Sequence, residues 1–171
     1  MRLFKQLFTI VILVSLIACT GDDDTPPYEL NTANLSAGTY DVGYLVTNTT
    51  GTVIIEGIQV EVSEENVTGD FFNLTYNFSE NEIYQYGGEY LKKTTRILAD
   101  GTVLEDSSII IVIDNEARTY DANNSTMQLL LDETLYDVTL FNANELRLSS
   151  SNAYSEDGVD YFETSEIRMV R

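Results

Sequence analysis

Cys19 is the one thiol in 171 residues, and the chain contains no histidine. Those two facts narrow the chemistry at once. Nucleophilic catalysis by serine or cysteine needs a neighbouring base, most often an imidazole. A serine–lysine pair would need Lys92 or Lys93, and neither lies in a recognisable motif. Zinc and copper sites are poorly served without histidine or a second cysteine. Paired carboxylates can cleave glycosides, but with 28 acidic residues some pairs fall close by chance. Calcium takes carboxylate and carbonyl oxygens, and one segment, DANNSTMQLLLD, places Asp121, Asn123, Ser125 and Asp132 near suitable offsets. Its sixth position is Thr126 where such a loop needs glycine, and no helical pattern flanks it, so it reads as a hairpin tip. The residues therefore predict no enzyme, no metal and no cofactor.

Aromatic side chains are the remaining candidates for binding. Tyr40, Tyr44, Tyr76, Phe78, Tyr84, Tyr86 and Tyr136 fall on expected strands and are candidates to line a ligand cavity. Tyr84, Tyr86 and Tyr90 share a parity beside Gly87 and Gly88, a pair that marks a bulge or bend in a long strand. Rings so placed can form a stacking wall for a ligand. They can equally fill a core and pair across strands.

The thiol has its own context. Arg2 and Lys5 open the chain, Leu7–Ala18 is uncharged and mostly apolar, and small Ala18 precedes Cys19. That apolar run is shorter than the roughly 20 residues a spanning helix needs, and it fits a signal-peptide core. With no second cysteine, an intrachain disulfide is impossible. Leu16-Ile17-Ala18-Cys19 resembles the lipobox of bacterial lipoproteins. That resemblance implies a signal peptide over residues 1–18, lipid attachment at Cys19 and a membrane partner reached through acyl chains. An ordinary secretory leader or an uncleaved anchor are the alternatives. Asp22, Asp23 and Asp24 follow at once. They resemble the surface-export signal of lipoproteins in some Gram-negative bacteria, which implies an outer-membrane protein exposed on the cell surface; a solvated tether is the plainer reading. Pro26 and Pro27, the only prolines, would stiffen a tether over residues 19–35.

The formal net charge of −19 repels nucleic acid and anionic membranes, so neither is an expected electrostatic partner. Hydrophobic residues at 43% describe a globular chain long enough for one domain.

Strands must position whatever site exists. Alternation of period two is clearest in FFNLTYNFSE, where Phe72, Leu74, Tyr76 and Phe78 share a face opposite Asn73, Thr75 and Asn77. TYDVGYLV sets Tyr40, Val42, Tyr44 and Val46 on one side. TLYDVTLF does the same with Tyr136, Val138 and Leu140, and ELRLSS with Leu146 and Leu148. SSIIIVI is apolar and β-branched throughout, which predicts a strand covered on both faces. Turn signals fall at 48–51, 79–82, 99–101, 114–116, 121–125, 141–144 and 155–158, and SEENVTGD at 63–70 reads as a loop or short helical turn. No stretch has a sustained helical period. Short strands and regular turns predict an antiparallel all-β domain, a meander that closes as a barrel or packs as a sandwich.

LSAGTYDV, FNLTYNFSENEIYQYGGEYL and YDVTLFNANELRLSS together resemble the lipocalin-like lipoproteins, with Gly38-Thr39-Tyr40 standing where that family's Gly-x-Trp would be. The resemblance covers most of residues 36–171. It implies an antiparallel up-and-down barrel of about eight strands that holds a small apolar or amphipathic ligand. A filled barrel acting as a structural or protein-interaction module is the alternative.

Overall fold

The computed structural model describes residues 28–131 and 133–171. The leader expected over residues 1–18, Cys19, and Asp22, Asp23 and Asp24 lie outside them. Among the described residues no helix is long and apolar enough to cross a membrane.

The chain forms a nine-stranded antiparallel sheet that closes into a ring. A single helical turn, α1 (Thr32–Leu35), precedes β1 (Thr39–Ile55), β2 (Ile58–Phe78), β3 (Glu82–Leu98), β4 (Val103–Ile113), β5 (Glu116–Asn123), β6 (Gln128–Leu131), β7 (Thr134–Phe141), β8 (Glu145–Glu156) and β9 (Val159–Val170). Sheet order is β2-β1-β9-β8-β7-β6-β5-β3-β4, and a further β2–β3 pairing completes the circuit. β4 and β5 share one edge of β3: Gly88 to Ile97 pair with β4, and Glu82 to Gln85 pair with β5. The two strands thus occupy one position around the ring, broken at Asp114–Asn115. Apart from β4 and β5, neighbours in sequence are neighbours in the sheet, as in a meander.

The turn chemistry explains the hairpin tips. Glu56-Gly57 and Asp157-Gly158 both take left-handed φ values, 52° and 81° in the first pair and 51° and 80° in the second. Left-handed φ at both central residues gives the twist that a two-residue hairpin needs. The turn expected at 48–51 is instead the middle of β1, and the loop expected at 63–70 is the middle of β2. β2 is hydrogen-bonded on both edges there, to β1 and to β3. Ladder bonds on two sides outweigh the low strand propensity of Asn, Gly and Glu.

Bulges set the side-chain parity. Tyr40 and Val42 point inward and are buried. Gly43 is the extra residue between Val42 and Tyr44 opposite β9, so parity flips: Leu45 turns inward, while Tyr44 and Val46 turn outward. Thr139 does the same in β7, so Phe141 is buried in place of Leu140. In β2 the irregularity between Asp70 and Asn73 contains Phe71, which has φ 53° and is 81% exposed. Beyond it Phe72, Leu74, Tyr76 and Phe78 all face the interior, as the alternation predicts.

The core fills one end of the ring. Tyr40, Phe78, Ile83, Leu129, Leu146, Leu148 and Met169 are buried there. Leu30 and Leu35 close it from below, so residues 28–35 belong to the domain and not to the tether expected over 19–35. Asn31 caps α1 by accepting from the Asn34 amide at 2.9 Å. Arg171 clamps the same segment. Its guanidinium lies 4.4 Å from the Tyr40 ring centroid and bonds to the Tyr40 hydroxyl and the Asn34 carbonyl.

The other end is open. β6 and β7 are short, so in the upper wall β4 has a partner on one edge only. Its run SSIIIVI is not covered on both faces as expected: Ile110 is 64% and Val112 74% exposed. A β-branched apolar run reads alike whether it is sandwiched or bare.

Candidate functional site

Between the filled end and the open end lies a cavity of 690 Å³, within the usual range of about 300–1,000 Å³ for ligand sites. Leu45, Phe72, Leu74, Tyr90, Ile113 and Ile167 supply its apolar wall, and Tyr76, Gln85, Glu116 and Arg118 its polar side. They come from six strands, β1 to β5 and β9. The Gly43 bulge turns Leu45 in from β1. The Phe71 bulge starts the inward run of β2. Phe72 and Tyr90 then stack across β2 and β3, ring centroids 5.4 Å apart at 19°.

The parity break in β3 occurs at Gly87-Gly88, as the sequence suggests. A Cβ on Gly88 would sit 1.5 Å from the Asn73 carbonyl oxygen, so the strands approach more closely than any side chain permits. Before the bulge, Ile83 and Gln85 face inward while Tyr84 and Tyr86 are exposed. After it Tyr90 faces inward.

The polar side is hydrogen-bonded. Gln85 is buried, accepts from the Tyr76 hydroxyl at 2.9 Å and donates to the Asp114 carbonyl at 3.4 Å. Asn115 accepts from the Gly87 amide at 2.5 Å, which ties the β4–β5 break to the β3 bulge. Arg118 pairs with Glu116 at 2.6 Å and is the only basic residue of the lining. Burial pushes the Tyr76 phenol up to about 12, against the pull of Arg118 and with a further push from Tyr136, Tyr90 and Glu116. Burial also raises Tyr90 and Tyr136. These phenols stay neutral over the physiological range and act as hydrogen-bond donors and apolar faces.

The expected lining residues divide three ways. Tyr76 lines the cavity, and Tyr136 lines an adjoining space of 130 Å³ that shares Tyr76, Arg118 and Ile167. Tyr40 and Phe78 lie deeper, in the filled core. Tyr44, Tyr84 and Tyr86 are outside the ring. The Tyr44 ring carries the Arg168 guanidinium at 4.2 Å, and the Tyr84 hydroxyl donates to Glu82 at 2.9 Å. Bulges decide these placements, and nothing in the alternation alone marks on which side of a bulge a tyrosine falls. Phe72 and Leu74 were legible as inward residues. Arg118 and Gln85 were not, because a polar residue at an inward position reads as an outward one.

The calcium-like segment forms the β5–β6 hairpin. Asn123 accepts from the amides of Ser125 and Thr126 at 3.0 and 3.3 Å, an Asx turn that occupies its carbonyl. Asp132 lies outside the described residues. The lining of the main cavity has no serine, cysteine or lysine; its carboxylates are Asp114 and Glu116, the latter paired with Arg118. The main cavity has an apolar body and one polar wall. Compared with known proteins, the chain matches no family model, no curated protein and no solved structure.

Proposed function

We propose that this chain is a lipid-anchored, non-enzymatic lipoprotein of the cell envelope whose ring is a lipocalin-like, up-and-down β-barrel that binds a small apolar or amphipathic ligand. The observation that carries the reading is the 690 Å³ cavity with stacked Phe72 and Tyr90 on one side and Tyr76, Gln85 and Arg118 on the other. An apolar body would lie against the aromatic wall. A carbonyl, hydroxyl or carboxylate would meet the Tyr76–Gln85–Arg118 side.

The anchor fits this arrangement. Tyr28 packs on Phe141 at the filled end, centroids 4.8 Å apart. A lipid at Cys19 would place that end toward the membrane, at most roughly 30 Å away by the reach of an extended chain. The open end would face outward, and Asp22, Asp23 and Asp24 would stand beside the anchor, in reach of an export machinery.

The test uses the mature chain made soluble by Cys19→Ser. Organic extraction followed by mass spectrometry should recover a bound amphiphile, and a solvatochromic apolar dye should bind and be displaced by it. Leu45→Trp, which narrows the cavity at its apolar wall, should weaken both signals while circular dichroism stays native. Absence of ligand and of dye binding in the unsubstituted chain would overturn the reading. The second reading, an interaction module, draws on the bare apolar edge of β4; a chain that binds no dye but self-associates unless Ile110 is changed to Lys would favour it.

A further inference from the structure

A separate cavity of 490 Å³ lies at the open end, among the strand segments above the ligand cavity. Its lining is of another kind. One transverse row runs through strand pairing: Glu163 on β9 opposes Thr49 on β1, Thr49 opposes Glu65 on β2, and Glu65 opposes Arg96 on β3. The row above brings Tyr154 of β8 opposite Tyr161 of β9. These rings stack, centroids 5.1 Å apart at 22°. Gly51 makes room for the pair, since a Cβ there would lie 3.1 Å from the Tyr161 ring.

The charge of this space is unbalanced. Glu65, Glu156 and Glu163 line it, and Arg96 is the only basic residue of the lining. Arg96 Nε donates to Glu65 at 2.6 Å, so one carboxylate is neutralised and two are in excess. The Tyr154 hydroxyl registers them: burial raises its pKa first, followed by Glu163 and Glu156. Among the described residues no group of acidic side chains is close enough to hold a metal ion. The carboxylates are spread around aromatic faces, an arrangement that suits a cation larger and softer than a metal.

We propose that this open-end cavity is a binding site for a small organic cation, a quaternary or alkyl ammonium group that lies against the Tyr154–Tyr161 pair within the field of Glu163 and Glu156. Aromatic faces attract such cations through the ring quadrupole, and the two unpaired carboxylates add Coulombic attraction. An anion would be repelled by the same field. The site is distinct from the ligand cavity and does not depend on it.

The experiment is a titration of the soluble Cys19→Ser mature chain with choline and with its neutral isostere 3,3-dimethylbutan-1-ol, read by tyrosine fluorescence, which no tryptophan obscures. Choline should bind saturably, and the neutral alcohol roughly tenfold more weakly or not at all. Glu163→Gln, a near-isosteric change, should weaken choline several-fold, as should Tyr161→Leu. Leu45→Phe in the other cavity should leave choline binding unchanged. Equal binding of the two probes, no saturable choline binding, or indifference to Glu163→Gln would each overturn the assignment.

Discussion

Phe78→Ala should remove a large part of the stability of the filled end. The Phe78 side chain is 2% exposed. It meets Tyr40 edge-on at 5.4 Å and 77°, and Tyr120 at 5.1 Å and 88°. Truncating a buried phenylalanine costs about 3–5 kcal/mol through lost transfer energy and the residual cavity. Edge-to-face pairs add about 0.5–1.5 kcal/mol each beyond the area they bury. Tyr40 is further pinned by Arg171, so the site has little freedom to collapse, and the cost belongs at the upper end, about 4–5 kcal/mol. A domain of this size is stable by only about 5–15 kcal/mol. With a urea slope of about 2 kcal/mol/M, the unfolding midpoint should fall by about 2 M. The control lies seven positions earlier in the same strand. Phe71 is 81% exposed at φ 53°, so Phe71→Ala should cost under about 1 kcal/mol. Phe71→Gly should be neutral or stabilising, because the left-handed backbone penalises a side chain by about 1–2 kcal/mol. Urea unfolding followed by circular dichroism measures all three. Equal costs at 71 and 78, or a loss under about 1 kcal/mol at 78, would refute both the register and the packing argument.

Alkali should destabilise the fold through Tyr76. Its folded pKa, near 12, lies above the ordinary tyrosine value of 10.0, so the neutral phenol is favoured in the folded state. The corresponding stability is complete below pH 10 and is lost as pH rises toward 12, roughly 3 kcal/mol in all; tyrosinate absorbance and urea midpoints across that window should show it, with a shallower loss in Tyr76→Phe. Gly88→Ala should be severe, beyond the usual 1–3 kcal/mol of overpacking, because the new Cβ would meet a backbone carbonyl at 1.5 Å. Gly43→Ala, which meets nothing within 4 Å, should stay within about 1 kcal/mol by the same denaturation assay. For the anchor, intact mass should give a chain beginning at acylated Cys19. Protease shaving of cells should digest the native chain and spare one with Asp22, Asp23 and Asp24 all changed to Ala. An unmodified full-length mass would remove the lipid anchor from the reading, and equal digestion would reduce the aspartates to a tether.

The class of fold was legible because alternation is a property of single strands. Phe72, Leu74, Tyr76 and Phe78 needed only a period of two and a polar opposite face. Closure was less legible, because it depends on which strands pair. β1 and β2 absorb Asn48-Thr49-Thr50-Gly51 and Ser63 to Asp70 into long ladders, although both stretches carry loop residues. Of their pairings only β1–β9 joins stretches distant in sequence, and no local pattern announces that one. The single turn of α1 is likewise silent: Leu30 and Leu35 bracket the capped turn without any helical period to reveal them.

The site was half legible for a more specific reason. A strand that crosses from a filled end to a cavity must reuse its inward face for a different purpose, and here the change coincides with bulges. Gly43, Phe71 and the Gly87-Gly88 pair lie at nearly one level of the ring, between core residues Tyr40, Leu74 and Ile83 below and Leu45 and Tyr90 above. An extra residue at that level adds bend and local twist, and it reassigns which side chains face in. Below it the interior is aromatic and close-packed; farther up the same ladders the inward row becomes Glu163, Thr49, Glu65 and Arg96. Residues that read as solvent-facing by polarity are therefore interior by register. That is why a strongly acidic chain can carry an apolar cavity and an acidic, aromatic one on the same strands.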